Sequence, residues 1–269
     1  MSSSVPEGGK AHRVYLLLKD DITRGVLADG AGLPSEQKLA ELYSVSRVTI
    51  RRALNALLRD GLIEKRAGSG SRVRSDSITR QLIKADISTL LPHLEQIASK
   101  TDARLLEFGY CEAPAAIAQG LGLTEKARVQ RAVRVRFING EPFSYLVTHV
   151  PEEVALSYSE ADLATQPLFG LLELGGVRIG GASQTVSATL ATPDLAASLK
   201  VAAGSALLTL ERVVRDEHGR GVEHLLASYR PDRFQLSMSL ERVGDHENRH
   251  WEPIVDLKSE MNAHREAAE

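Results

Sequence analysis

The sequence predicts an α+β protein of two domains: helices closed by a β-hairpin at the N-terminus, then a larger domain built on an antiparallel sheet. Three observations lead there. The chain has 269 residues, more than the roughly 100–200 of one domain. Charge is divided: residues 1–75 hold 13 Lys+Arg against 8 Asp+Glu, and the rest hold 20 against 27. Finally, a pattern starting at Leu121 is echoed from Leu199, an offset of 78 residues. Blocks of opposite charge suggest two jobs, the basic one facing a polyanion.

Residues 1–9 are Ser-, Gly- and Pro-rich and read as unstructured. Val14, Leu17, Leu18, Ile22 and Val26 recur at helical spacing, predicting an amphipathic helix that ends near Gly25–Gly30. Pro34 interrupts the chain, and Ser35 is an N-cap for a short second helix through Leu39, Ala40 and Leu42–Tyr43. Ser46 caps a third. Its stripe is Ile50, Ala53, Leu54 and Leu57; Arg51, Arg52, Asn55 and Arg59 lie opposite, with Arg47 at the N-terminal edge. Gly61 supplies its C′ residue. "LIEKRAGSGSRV" reads as a hairpin with its turn at Gly68–Gly70. Together these define a winged helix-turn-helix over 10–74, joined by a polar linker at 75–81.

In the second domain, 82–243, each copy of the echo reads as a helix end, a small-residue turn, an alternating strand, a turn at Gly140 or Gly219, and a second strand. Arg134 aligns with Arg212. Two such units predict an antiparallel sheet with helices on one face. "TQPLFGLLEL" and "TPDLAASLK" read as helices starting near a proline. Residues 244–269 read as a mobile tail containing the only tryptophan, Trp251.

Several function classes find no support. The one cysteine, Cys111, cannot pair within the chain and reads as a buried small residue. Nothing approaches the ~18–20 apolar residues that cross a bilayer, and no secretory signal opens the chain, so a cytoplasmic protein is expected. The eight histidines show no metal-ligand spacing. Phosphate-binding loops and nucleophile motifs are missing, and "GSGSRV" is a turn between strands. No cofactor, no metal and no catalysis are expected.

A basic helix in a helix-turn-helix has a physical use on DNA. Its first turn, with Arg47 and Thr49, can reach base edges in the major groove, and Arg51 and Arg52 follow one turn on. Ser35, Gln37 and Ser46 sit at helix starts, where short polar groups and backbone N–H can hold phosphate. Glycine at position 68 lets a wing approach the minor groove.

"LPSEQKLAELYSVSRVTIRRALNALLRDGLIEKRAGSGSRV" closely resembles the DNA-binding domain of the GntR family of bacterial regulators. The resemblance implies operator contact by Arg47, Thr49, Arg51 and Gly68; the family often has Arg at Gln37 and a longer polar side chain at Ala67. "RAVRVRFINGEPF" and "ERVVRDEHGRGVEHLLASYRPDRF" resemble the UTRA domain of the HutC subfamily. That implies a chorismate-lyase-like α+β sheet, a homodimer and a small-molecule effector. Alternation puts Arg134 and Arg136 on one face, where two guanidiniums suit a phosphate or carboxylate. The resemblance adds Glu223, Tyr229 and Arg230 to the effector site. Relatives that take amino-sugar phosphates tend to carry Glu where this chain has Leu146. Leucine cannot accept from a hydroxyl or ammonium, so a less polar acid is favoured. The expected function is a repressor released from double-stranded operator DNA by a small anionic metabolite. The alternatives are an effector-independent DNA-binding protein and a lyase-like enzyme.

Overall fold

The computed structural model describes residues 9–66, 70–74, 83–86, 101–244 and 248–254. The wing tip with Gly68 and the linker at 75–81 lie outside the described residues. The chain divides into two compact units, residues 1–82 with 190–205, and residues 83–189 with 206–269.

In the first unit, α1 (Gly9–Thr23), α2 (Glu36–Leu42) and α3 (Arg47–Arg59) are followed by β1 (Ile63–Arg66) and β2 (Gly70–Val73). The strands pair antiparallel, Ile63 opposite Val73, and Gly32 bridges to Arg72. The α1 stripe differs from expectation. Ala11, Val14, Tyr15, Leu18 and Ile22 are buried, whereas Leu17 and Val26 are exposed. Val14, Leu18 and Ile22 follow one another every four residues, as do Ala11 and Tyr15, so the set lies on one helix face, which Leu17 leaves. Val14, Tyr15, Leu18 and Ile22 join Leu39, Ile50, Leu54, Leu57, Ile63 and Val73 in one core. Tyr15 donates to Asp60, the C-cap of α3, at 2.5 Å. Ser44 turns the chain between α2 and α3 at a φ of 52°, and Gly61 leaves α3 at 71°. Residues 190–205 hold α8 (Pro193–Leu199), capped by Thr192 with Pro193 in its first turn.

The second unit is built on six strands in the order β4-β5-β6-β9-β8-β7. They are β4 (Asp102–Glu112), β5 (Arg128–Ile138), β6 (Glu141–Pro151), β7 (Ile179–Leu190), β8 (Ala206–Asp216) and β9 (Gly221–Tyr229). The echo at 78 residues is a duplication of the whole motif. β4, α4 (Ala115–Leu121), β5 and β6 are followed, at that offset, by β7, α8, β8 and β9. The β6–β9 register, Ser144 opposite Tyr229 through His149 opposite His224, joins the two halves of the sheet.

Helices cover both faces of the sheet, not one. Ala132 and Val150 point to α5 (Glu152–Ala155), α6 (Glu160–Thr165) and α7 (Leu168–Leu174), packing with Tyr158, Leu163, Leu168 and Leu172. On the opposite face, α4 lies over β9, with Gly120 against His224 and Val213. The reason lies in the central strands, which are buried on both sides: Val133 and Val135 are as buried as Ala132. A short parallel pair, β3 (Ile83–Asp86) and β10 (Phe234–Ser237), brings Phe234 to stack on Tyr229 at 3.9 Å. Part of the expected tail is a strand: β12 (His250–Pro253) pairs with β11 (Leu240–Val243), leaving Trp251 exposed. Cys111 is half-buried on β4, less enclosed than expected.

Candidate DNA-binding and effector-binding sites

The helix-turn-helix presents its polar groups in two states of commitment. Ser35 Oγ accepts from the Lys38 N–H at 3.2 Å, and Ser46 Oγ accepts from the Thr49 N–H at 3.2 Å. The Ser46 and Thr49 hydroxyl oxygens lie 2.8 Å apart. These groups hold the helix starts. Gln37 donates weakly to Glu41 at 3.4 Å. Arg47 and Arg52 are exposed. Arg51 is instead clamped: its Nε and Nη2 donate to the Glu36 carboxylate at 3.2 and 2.8 Å. That hydrogen bond, ahead of the charge of Arg51, holds the Glu36 carboxyl below the usual carboxylate range. Sequence reading missed Glu36, and also Val48, which is 61% exposed beside Arg47. An exposed valine in the first turn of such a helix can meet a thymine methyl.

The second constellation lies on the sheet face that carries α5–α7. Register settles which residues share it. Arg134 pairs with Leu146 and Leu146 with Ala227; Arg136 pairs with Ser144 and Ser144 with Tyr229. Side chains alternate along a strand, so Arg134, Arg136, Tyr229, Ala227, Leu225 and Glu223 face one way. Arg134, Glu223 and Tyr229 are buried. The Arg136 Nε donates to Thr101 Oγ1 at 3.0 Å. Burial, and then the neighbouring Arg134, bring the Arg136 guanidinium down to about 10. Burial also lowers Arg134 and raises Glu223 and Tyr229.

Arg230 follows Tyr229 just past the end of β9. Its guanidinium donates to both Asp232 carboxylate oxygens, at 3.1 and 2.7 Å, and to the Pro142 carbonyl at 3.3 Å. Sequence reading also missed several polar neighbours. Gln130 and Thr148 share the Arg134 face and are wholly buried. Tyr158 OH donates to Gln130 Oε1 at 2.9 Å. Among the described residues, four buried polar atoms on this face have no hydrogen-bond partner: Arg134 Nε, Gln130 Nε2, Ser144 Oγ and Thr148 Oγ1. Buried polar groups are nearly always paired, so these atoms are notable for lacking partners within the fold. An open cleft of about 650 Å³ lies between Ala103–Leu106 of β4 and Glu160, Ala161 and Ala164 of α6, and Leu105 is the register partner of Arg134.

Residues 10–73 match the bacterial regulatory proteins of the gntR family, and residues 98–235 match the UTRA domain. The chain therefore belongs to the GntR family of bacterial transcriptional regulators, in the group that carries a UTRA domain. It is 25% identical over 232 residues to the HTH-type transcriptional repressor NagR of Bacillus subtilis, covering 86% of this chain and 95% of that protein. It is 30% identical to an HTH-type transcriptional regulator of Mycobacterium tuberculosis, covering 84% of each. Among solved structures it shares its fold with the possible transcriptional regulator YydK of Bacillus subtilis. The TM-score is 0.54 at 22% identity, over 86% of this chain and 99% of that one. No described helix is long and apolar enough to cross a membrane.

Proposed function

We propose that the protein is a cytoplasmic repressor that leaves its operator when a small anionic metabolite occupies the polar sheet face. Residues 10–74 bind double-stranded DNA, 75–81 link, 82–243 bind the effector and hold a homodimer together, and 244–269 follow as a C-terminal extension. A symmetric dimer offers two α3 helices to a pseudo-palindromic site. Ser35, Gln37, Ser46, Arg47, Thr49, Arg51, Arg52 and Gly68 serve the DNA. Arg134, Arg136, Glu223, Tyr229 and Arg230 serve the effector, with no catalytic role.

The observation that carries this reading is the row of orphaned buried polar atoms beside Arg134. The buried Arg134 guanidinium, with Arg136 beside it and the Ser144 and Thr148 hydroxyls nearby, offers donors suited to an anion. The ligand can shift DNA affinity only by as much as it prefers one dimer geometry over the other.

The test is a thermal-shift screen against phosphorylated sugars, dicarboxylates, amino-acid catabolites and aromatic acids. A ligand at about 100 times its Kd stabilises its host by roughly 2.7 kcal/mol. Arg134→Ala is expected to abolish the response while binding a duplex selected by the wild-type protein as before. A variant that still responds would remove Arg134 from the site.

A further inference from the structure

The duplication puts a second buried arginine on the face that carries Arg134. Arg212 sits 78 residues after Arg134 and pairs across β8–β9 with Leu225, which shares the face of Ala227 and Glu223. It is 2% exposed. We propose that Arg212, held by Gln184, is a further effector-contacting residue, and that the effector is a dianion with two separated acidic groups gripped from both halves of the domain. This rests on the effector reading above.

The way Arg212 is held favours binding over a structural ion pair. Its Nε and Nη2 both donate to Gln184 Oε1, at 2.9 and 2.6 Å. A neutral amide orients the guanidinium without neutralising it. Glu223 is the buried carboxylate nearby: Val214 pairs with Glu223 and Arg212 with Leu225, so the two are diagonal neighbours. Yet among the described residues no ion pair within 4.0 Å joins Arg212 or Arg134 to Glu223. A purely structural arginine would close that gap, because a buried charge left unpaired is costly. Between the two arginines the same face offers Leu146, Ala227 and Leu225, with the orphaned Thr148 hydroxyl among them. The surface reads cation, apolar span, cation. A lone phosphate would satisfy Arg134 and Arg136 and leave Arg212 unmatched.

The experiment measures melting of the full chain with succinate, glutarate, adipate, butyrate and inorganic phosphate. Wild type should bind at least one dicarboxylate tenfold or more better than butyrate, and should also respond to phosphate. In Arg212→Gln the dicarboxylate advantage should vanish while the phosphate response stays; in Arg136→Gln the phosphate response should go. A dicarboxylate preference that survives Arg212→Gln, or equal binding of butyrate and dicarboxylates by wild type, overturns the inference. Loss of the phosphate response in Arg136→Gln would then leave the effector reading standing. A phosphate response untouched by Arg136→Gln, or no response to any probe, overturns both. If Arg212→Gln does not fold, Gln184→Leu on the half-exposed edge strand decides: it should weaken dicarboxylates severalfold and spare phosphate, and no change counts against Arg212.

Discussion

Arg134 and Arg212 occupy the same position in the two halves of the duplicated sheet, and both act on a single buried carboxylate, Glu223. Burial is the larger influence on that carboxylate and raises it. Arg212 and then Arg134 oppose the rise without cancelling it. Burial at Glu223 therefore outweighs the two guanidiniums beside it, a perturbation of the kind that functional sites often show.

Replacing Glu223 with Gln should change the pH dependence of stability. A carboxyl whose folded pKa is raised stabilises the protein below its unfolded value, and that contribution is lost as pH climbs through the folded value. Wild type should lose stability above about pH 4.5, relative to Glu223→Gln, until the raised pKa is passed. Thermal melts of both proteins without ligand, from pH 4 to 8, check this. Parallel curves would mean that Glu223 ionises freely in the fold.

His149 imposes the opposite slope. It is buried on the other sheet face, 6.1 Å from His224 ring to ring, with Arg131 opposite it on β5. Burial, then His224 and Arg131, push its imidazole down to about 4. The folded state prefers the neutral ring, so stability is full above about pH 6.5 and falls as pH drops toward 4. His149→Gln should flatten the acid limb of the melting curve over that window. An unchanged acid limb would assign it to other groups.

The clamp between Glu36 and Arg51 bears on DNA discrimination. The pair is at the surface, where a salt bridge adds little to stability. Glu36→Gln should therefore leave the melting temperature unchanged. On DNA it removes a negative charge from a phosphate-facing surface and frees Arg51 from its fixed pose. Affinity for unrelated duplex should rise, while preference for the selected operator falls. Fluorescence anisotropy on both duplexes across a salt series separates the effects. An operator preference equal to wild type would show that Arg51 needs no brace.

Much of this was legible in the residues themselves. Ser46 and Gly61 mark the ends of α3 because capping is local chemistry, and the alternation of Arg134 and Arg136 needs only the period of a strand. The echo at 78 residues revealed the duplicated motif. What escaped depends on register between strands and on contacts between helices. Nothing in the order of residues says that Glu223 and Thr148 share a face with Arg134; β6 and β9 must first be paired across 70-odd intervening residues. Glu36 lies fifteen positions before Arg51, and only the helix-turn-helix angle joins them. Leu17 looked like core because its spacing to Val14 suits a helix; the face chosen was one residue away, at Tyr15 and Leu18.

Gly221 tests how the covering helix is seated. A Cβ at this residue would stand 2.5 Å from the carbonyl oxygen of Leu121 and 2.6 Å from its Cα. Both are backbone atoms and cannot swing away. Leu121 ends α4 and is buried, and Arg215 Nη2 donates to the neighbouring Gly120 carbonyl at 3.0 Å. Gly221→Ala must lift the end of α4 off β9, at the ~1–3 kcal/mol typical of overpacking. For a unit of this size each kcal/mol lowers the melting temperature by about 2–4 °C, so a fall of several degrees is expected. Because α4 covers the face opposite Arg134, the variant should keep its response to anions. A melting temperature equal to wild type would show that α4 yields without cost, and a lost anion response would show that the two faces are coupled through β9.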